Sequence, residues 1–198
     1  LDDRLSAFIN SGYVQKPPIL DNVIDYDGNV SSNPDNEKFI SNEVGGEYRS
    51  ELVAIKGSYY NTQWKDRNLT KSVTTGQGDS GDTDIIYLTG VDQSHSGFEI
   101  ETKVALHEMV ELDVSVSIGD WYFDGDAKGD YTKMEYNEDN QIIGQTSEEY
   151  QYALNNLMVG DMPQKSYVGG LTFKPLEGLR VQGLYRYYTD HYSDWSPD

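Results

Sequence analysis

The chain has 198 residues with 34 acidic against 15 basic side chains, a formal net charge of −19, 16 tyrosines and no cysteine. That balance argues against nucleic acid as a partner, because phosphate binding needs clustered Lys and Arg, and the missing thiols exclude disulfides and thiolate metal sites. No apolar run approaches the roughly 20 residues of a membrane helix, which leaves open a transmembrane β-strand of about 9 to 11 residues with one apolar face.

Leu1-Asp2-Asp3 leads directly into a first strand, roughly Arg4 to Val14, where Leu5, Ala7 and Ile9 alternate with Ser6, Phe8 and Asn10. The loop 15–38 follows, with the turn-forming pairs Pro17-Pro18, Asp27-Gly28 and Asn33-Pro34. A second strand, about Phe39 to Arg49, sets Val44, Gly46 and Tyr48 against Glu43, Gly45, Glu47 and Arg49. After a turn at Ser50, a third strand opposes Val53, Ile55, Gly57 and Tyr59 to Ala54, Lys56, Ser58 and Tyr60. Such strands have one wet and one dry side.

The stretch 66–84, with Gly76, Gly78 and Gly81, reads as a mobile loop. A long fourth strand is expected from Ile85 to His107, with a bulge near Gly90 or Gly97. It places Phe98, Ile100, Thr102, Val104 and Leu106 on one face and Glu99, Glu101, Lys103 and Ala105 on the other. Burying those glutamates in a dry core would cost several kcal/mol unless they were paired. A hydrated interior removes the cost. A turn at Glu108-Met109 leads to a fifth strand with Val110, Leu112, Val114, Val116 and Ile118 opposite Glu111, Asp113, Ser115, Ser117 and Gly119.

The connection 124–164 is too long for an ordinary structureless loop. A small hairpin is expected within it, Tyr131 to Tyr136 and Ile142 to Ser147 flanking Glu138-Asp139-Asn140. From Asp120 to Asp161 there are ten acidic residues and two lysines. A sixth strand runs about Ser166 to Lys174 with Tyr167, Gly169, Leu171 and Phe173 outward. After Pro175-Leu176-Glu177-Gly178, a seventh sets Leu179, Val181, Gly183, Tyr185 and Tyr187 against Arg180, Gln182, Leu184, Arg186 and Tyr188.

The expected fold is therefore all-β, an antiparallel up-and-down sheet of about seven strands. Tight turns near 50, 108 and 176 lie at one rim and the long loops 15–38, 66–84 and 124–164 at the other. Trp64, Trp121, Tyr122, Phe123, Tyr188, Tyr192 and Trp195 fall near the long-loop rim and read as an interfacial aromatic girdle. An odd strand number, and ends at Leu1 and Trp195-Ser196-Pro197-Asp198, predict a partial segment of a larger barrel spanning residues 1–198. A soluble or surface-attached β-sandwich that binds ligands or acts as an adhesin satisfies the same alternation.

Several segments resemble the C-terminal barrel region of TonB-dependent outer-membrane receptors of the Bacteroidota type. They are Asn33-Pro34-Asp35-Asn36-Glu37-Lys38-Phe39 with Asn42-Glu43-Val44-Gly45-Gly46-Glu47-Tyr48-Arg49; Tyr59-Tyr60-Asn61-Thr62-Gln63-Trp64-Lys65-Asp66-Arg67; Gly97-Phe98-Glu99-Ile100-Glu101; and Ser117-Ile118-Gly119-Asp120-Trp121. The similarity is spread from about Arg4 to Trp195. It implies a multi-pass barrel of about 22 strands in the outer membrane of a Gram-negative bacterium, with an N-terminal plug domain. It further implies energy supplied through a TonB-type protein and import of a small nutrient ligand: an iron chelate, cobalamin or an oligosaccharide. The chain departs from the full family pattern in lacking the plug, the box that contacts the energy-transducing partner and the terminal strand. On this reading it forms barrel wall and substrate-side loops facing lipid and lipopolysaccharide, and transports nothing alone.

Substrate contacts in that family lie in the outer loops and upper lumen, which singles out Trp64, Trp121, Tyr122, Tyr188 and Trp195 as candidates to stack on a sugar ring or planar chelate. Asp124, Asp126 and Asp130 offer oxygen donors for calcium but lack EF-hand spacing, and the wider acidic run reads as a solvated face. His95, His107 and His191 make no zinc motif. The pairs Glu99 with Glu101 and Glu43 with Glu47 read as lumen lining, and no enzymatic activity is expected.

Overall fold

The computed structural model of the chain describes residues 3–24, 28, 35–75, 82–139 and 141–194. Among these residues, nine strands form one antiparallel sheet: β1 Leu5–Lys16, β2 Glu37–Arg49, β3 Val53–Thr75, β4 Asp82–His107, β5 Val110–Phe123, β6 Ala127–Tyr136, β7 Ile142–Tyr152, β8 Pro163–Leu176 and β9 Leu179–His191. The hydrogen-bonded path is β1-β2-β3-β4-β5-β8-β9, and it is open, ending on β1 and β9. The hairpin β6–β7 joins through β6, which pairs with β4 over Ile85 to Thr89.

Two of the nine strands continue others. Along β4, the partner changes from β5 (Gln93 to His107) to β6 (Ile85 to Thr89) across a short break at 124–126. The sheet thus has seven columns over most of its height, matching the expected strand number, while two columns are interrupted. The connection 124–164 holds the expected hairpin, in a longer form.

The stretch 66–84 differs more from expectation. Its described residues, 66–75 and 82–84, are not loop but belong to the paired upper parts of β3 and β4, with Arg67 opposite Val91, Leu69 opposite Leu88 and Thr75 opposite Asp82. The register shifts between Trp64 and Leu69. Asp66 and Gly90, both at positive φ, sit in that irregularity, so the bulge expected near Gly90 is present. Gly76, Gly78 and Gly81 lie outside the described residues, as do Asp27, Asn33 and Pro34.

Cross-strand partners share a face, so the register defines rows. On one side these rows are Val181–Phe173–Val110; Gly183–Leu171–Leu112–Val104–Val53; Tyr185–Gly169–Val114–Thr102–Ile55–Tyr48–Leu5; Tyr187–Tyr167–Val116–Ile100–Gly57–Gly46–Ala7; and Thr189–Lys165–Ile118–Phe98–Tyr59–Val44–Ile9. Nearly every member is apolar, and many are bare: Ile9 is 79% exposed, Tyr185 70% and Phe98 60%. The next row on the same face is Ser11–Asn42–Asn61–Ser96–Asp120, and the apolar band stops there. The reverse face carries Glu43, Glu47, Lys56, Glu99, Glu101, Lys103, Glu111, Asp113 and Arg186, with Glu111 bridged to Lys103 and Lys174.

The buried core lies beyond the band, in the extension made by upper β3, upper β4, β6 and β7. Ile86, Leu88, Val91, Phe123, Ala127 and Leu154 cluster on one side of it, and Ile85, Tyr87 and Met134 on the other. The extension therefore carries buried apolar clusters on both faces, and among the described residues the band below it contributes to neither cluster. Connections at the other end are short: 50–52, 108–109 and 177–178.

Candidate functional site

The charged face of the sheet bears a cleft of about 490 Å³ just beyond the level of the apolar band, lined by Phe39, Ser41, Glu43, Tyr60, Thr62, Trp64, His95, Glu99 and Trp121. Its floor rests on two glycines, Gly97 and Gly119, paired across β4 and β5. A Cβ on Gly119 would lie 2.7 Å from Trp121 Nε1, and one on Gly97 would lie 2.6 Å from the Tyr60 hydroxyl. Both rings therefore lie folded down onto bare backbone, and only glycine leaves the space. Trp121 Nε1 donates to the Tyr60 hydroxyl at 2.9 Å, joining the two rings into one shelf. The backbone below is clamped by buried Gln164, which accepts from the Trp121 amide at 3.0 Å and donates to its carbonyl at 2.8 Å.

Trp64 makes a wall rather than a shelf. Phe39 meets its ring at 4.5 Å between centroids, the Arg67 guanidinium lies 3.9 Å from the ring centroid, and its Nε1 donates to buried Glu37 at 2.9 Å. Glu37 also pairs with Lys16 at 3.1 Å. Arg67 in turn donates to Gln93 Oε1 at 3.2 Å, an oxygen equally distant from His95 Nε2. His95 lies past the apolar rows with its ring 5.6 Å from that of Trp121. Burial, and secondly the neighbouring Arg67 charge, hold its imidazole below the usual value. His95 is thus neutral at physiological pH.

The five stacking candidates separate. Trp64 and Trp121 converge in the cleft. Tyr122 pairs with Ser94 on the opposite face and bridges to Met158. Tyr188, opposite Ser166 on β9, faces the charged side but is half-exposed and outside the cleft. Trp195 lies outside the described residues. The girdle is corrected in part: Trp64, Trp121, Phe123 and Tyr188 belong to the charged face, whereas Tyr122 lies on the apolar face in a row with Tyr13, and the other aromatics of that face include Tyr48, Tyr59, Phe98, Tyr167, Tyr185 and Tyr187. Parity already carried this, because counting by twos from Val53 puts Tyr59 on the apolar face and Trp64 on the charged one. The same count reaches Tyr60, whose role in the shelf proximity to the rim did not reveal.

Asp124, Asp126 and Asp130, the candidate oxygen donors for calcium, are placed as follows. Asp126 accepts from the Asn155 amide at 3.2 Å, Asp130 pairs within the β4–β6–β7 sheet, and among the described residues no three His, Asp or Glu side chains gather as metal ligands. His107 accepts from the Met109 amide in the β4–β5 turn, remote from His95, and His191 ends β9. Glu99 lines the cleft with Glu43, whereas Glu101 lies lower on the sheet among Glu47, Lys56 and Lys103.

No protein-family model matches the chain, and neither a curated protein nor a solved structure matches it. The structure itself is that of an all-β protein whose single antiparallel sheet offers a polar, aromatic-lined cleft suited to binding.

Proposed function

We propose that this chain is wall and mouth of a larger outer-membrane β-barrel, a receptor that takes up a small nutrient with energy delivered through a TonB-type partner. The observation that carries the reading is the five-row apolar band. Over nine residues of β5 (Val110 to Ile118) and β8 (Lys165 to Phe173), one face is exposed or half-buried and almost wholly apolar while the other carries charges, Glu111 among them paired with Lys103 and Lys174. About 9 to 11 tilted residues cross a bilayer, so the band has the required height. A soluble protein leaving it uncovered would expose far more contiguous apolar surface than monomers tolerate. The extension at one end only, with short turns at the other, supplies a mouth and a base, and the cleft sits just inside the mouth.

The first test is solvent requirement. The full-length protein is expected to need detergent or lipid to stay monodisperse, and to migrate as a heat-modifiable band in electrophoresis. Monodisperse monomer in plain buffer would overturn the barrel. A surface-attached binding module is the second reading, favoured by the extension, whose core packs on both faces without any lipid. On that reading a partner protein covers the apolar band.

A further inference from the structure

We propose that the Tyr60–Trp121 shelf is a stacking subsite for a neutral pyranose. The inference rests on the binding role proposed above for the same cleft and names its ligand class.

Three observations converge on it. The shelf is built and not incidental: two rings are pressed onto two facing glycines, tied by a 2.9 Å hydrogen bond, and held from below by the double hydrogen bond of buried Gln164. Such a preset pair of rings presents area without ordering cost at the moment of binding. Around the shelf stand Glu43 and Glu99, the hydroxyls of Ser41 and Thr62, and His95. A pyranose offers an apolar face of axial C–H groups and a rim of hydroxyl donors, which matches flat rings bordered by carboxylate acceptors. Charge then selects among ligands. The lining contains two carboxylates and no lysine or arginine. The guanidinium of Arg67, beside Trp64, is occupied by that ring and by Gln93, and burial holds the His95 imidazole below its usual value. An anionic chelate or acidic sugar would meet the two lining carboxylates directly, while the flanking cations already face protein groups, Lys16 at Glu37, Arg67 at Trp64 and Gln93, and Lys56 over the Phe8 ring.

Of the two tryptophans in the cleft, only Trp121 is assigned to stacking. The Trp64 ring already packs against Phe39 and under the Arg67 guanidinium.

The test is calorimetric titration of the full-length protein in lauryldimethylamine oxide, whose headgroup is not a sugar. Probes are maltohexaose, cellohexaose, mannohexaose and xylohexaose, with hexagalacturonate and ferric citrate as anionic comparators. At least one neutral oligosaccharide is expected to bind, and to bind at least about tenfold more tightly than either anion. Trp121→Ala is expected to weaken it by about tenfold or more, while Trp121→Phe stays within about threefold. Glu99→Gln leaves both rings and both glycines in place and is expected to weaken binding about fivefold. Tyr188→Ala, outside the cleft, is the control and changes nothing. The proposal is overturned if none of the neutral sugars binds, if an anion binds more tightly, or if Trp121→Ala and Glu99→Gln both bind as wild type. A detergent-embedded protein that ignores neutral sugars removes the subsite and leaves the barrel. A water-soluble monomer that binds them removes the barrel and leaves the subsite.

Discussion

The Tyr131 hydroxyl donates to the buried carboxylate of Asp84 at 2.5 Å, joining β6 to β4 well beyond the apolar band. Asp84 also accepts from the Met134 amide at 3.2 Å, so one side chain ties the β6–β7 hairpin to the rest of the sheet at two points. The hydrogen bond, then burial and the Asp84 charge, push the Tyr131 phenol up to about 12.

A raised phenol pKa favours the protonated folded state. The stabilisation is complete below the ordinary tyrosine value of about 10 and is lost as pH rises toward 12, because only the unfolded chain gives up its proton in that window. The absorbance titration of wild type minus Tyr131→Phe should show one phenol with a midpoint near 12, moving toward 10 in Asp84→Asn. A midpoint already near 10 in wild type would mean that Tyr131 and Asp84 are not bonded in solution.

The glycines beneath the cleft should tolerate nothing larger. Gly119→Ala is expected to cost about 1–3 kcal/mol in urea unfolding, because its Cβ displaces the Trp121 indole or the nearby Gln164 carbonyl. Gly183→Ala, with nothing within 4 Å of its added carbon, should be neutral or stabilising by about 0.5 kcal/mol. Equal effects at the two positions would refute the tight seating of Trp121.

Depth should decide the cost of a charge on the apolar face. In the proposed orientation Val114 lies in the middle row, and Val114→Arg is expected to destabilise the folded protein in lipid bilayers by ~2–4 kcal/mol. Ser96→Arg, in the polar row beyond the band, should cost ~0–1 kcal/mol. A flat profile along β4 and β5 would argue against immersion of this face.

Leu88 is fully buried at the centre of the extension. Leu88→Ala should remove ~2–5 kcal/mol of local stability there. Hydrogen exchange would then accelerate in upper β3, upper β4, β6 and β7 while β1 and β2 keep their protection. Uniform acceleration would show that the extension and the band unfold together.

The faces of the sheet were legible in the sequence because period-two alternation is local. Phe98, Ile100, Val114, Leu171 and Tyr185 occupy the side that alternation predicts. The short turns at Ser50, Glu108-Met109 and Glu177-Gly178 were legible for the same reason. The extension was hidden by Lys65-Asp66-Arg67-Asn68, which has turn chemistry. There Asp66 takes a positive φ within an irregular ladder, accepting from Lys38 at 2.5 Å, and buried Asn68 donates to the carbonyls of Asp35 and Asp66. Those partners are mostly some thirty residues away, and no local window contains them. The pairing of β6 with β4 is likewise long-range, set by Leu88, Ile86 and Tyr131 packing together. The cleft was half legible. Its tryptophans stood out, but the glycine floor was invisible until two strands were laid side by side.

The row Ser11, Asn42, Asn61, Ser96 and Asp120 acts, in the proposed orientation, as a load line painted on a hull. Sinking the sheet by one same-face row, about 7 Å along the strands, would submerge five hydrogen-bonding side chains at once. Raising it by one row would lift Ile9, Val44, Tyr59, Phe98 and Ile118 into water. In that orientation the draught of the protein is written in side-chain chemistry, and it would keep the shelf of Tyr60 and Trp121 at a fixed height, level with the waterline.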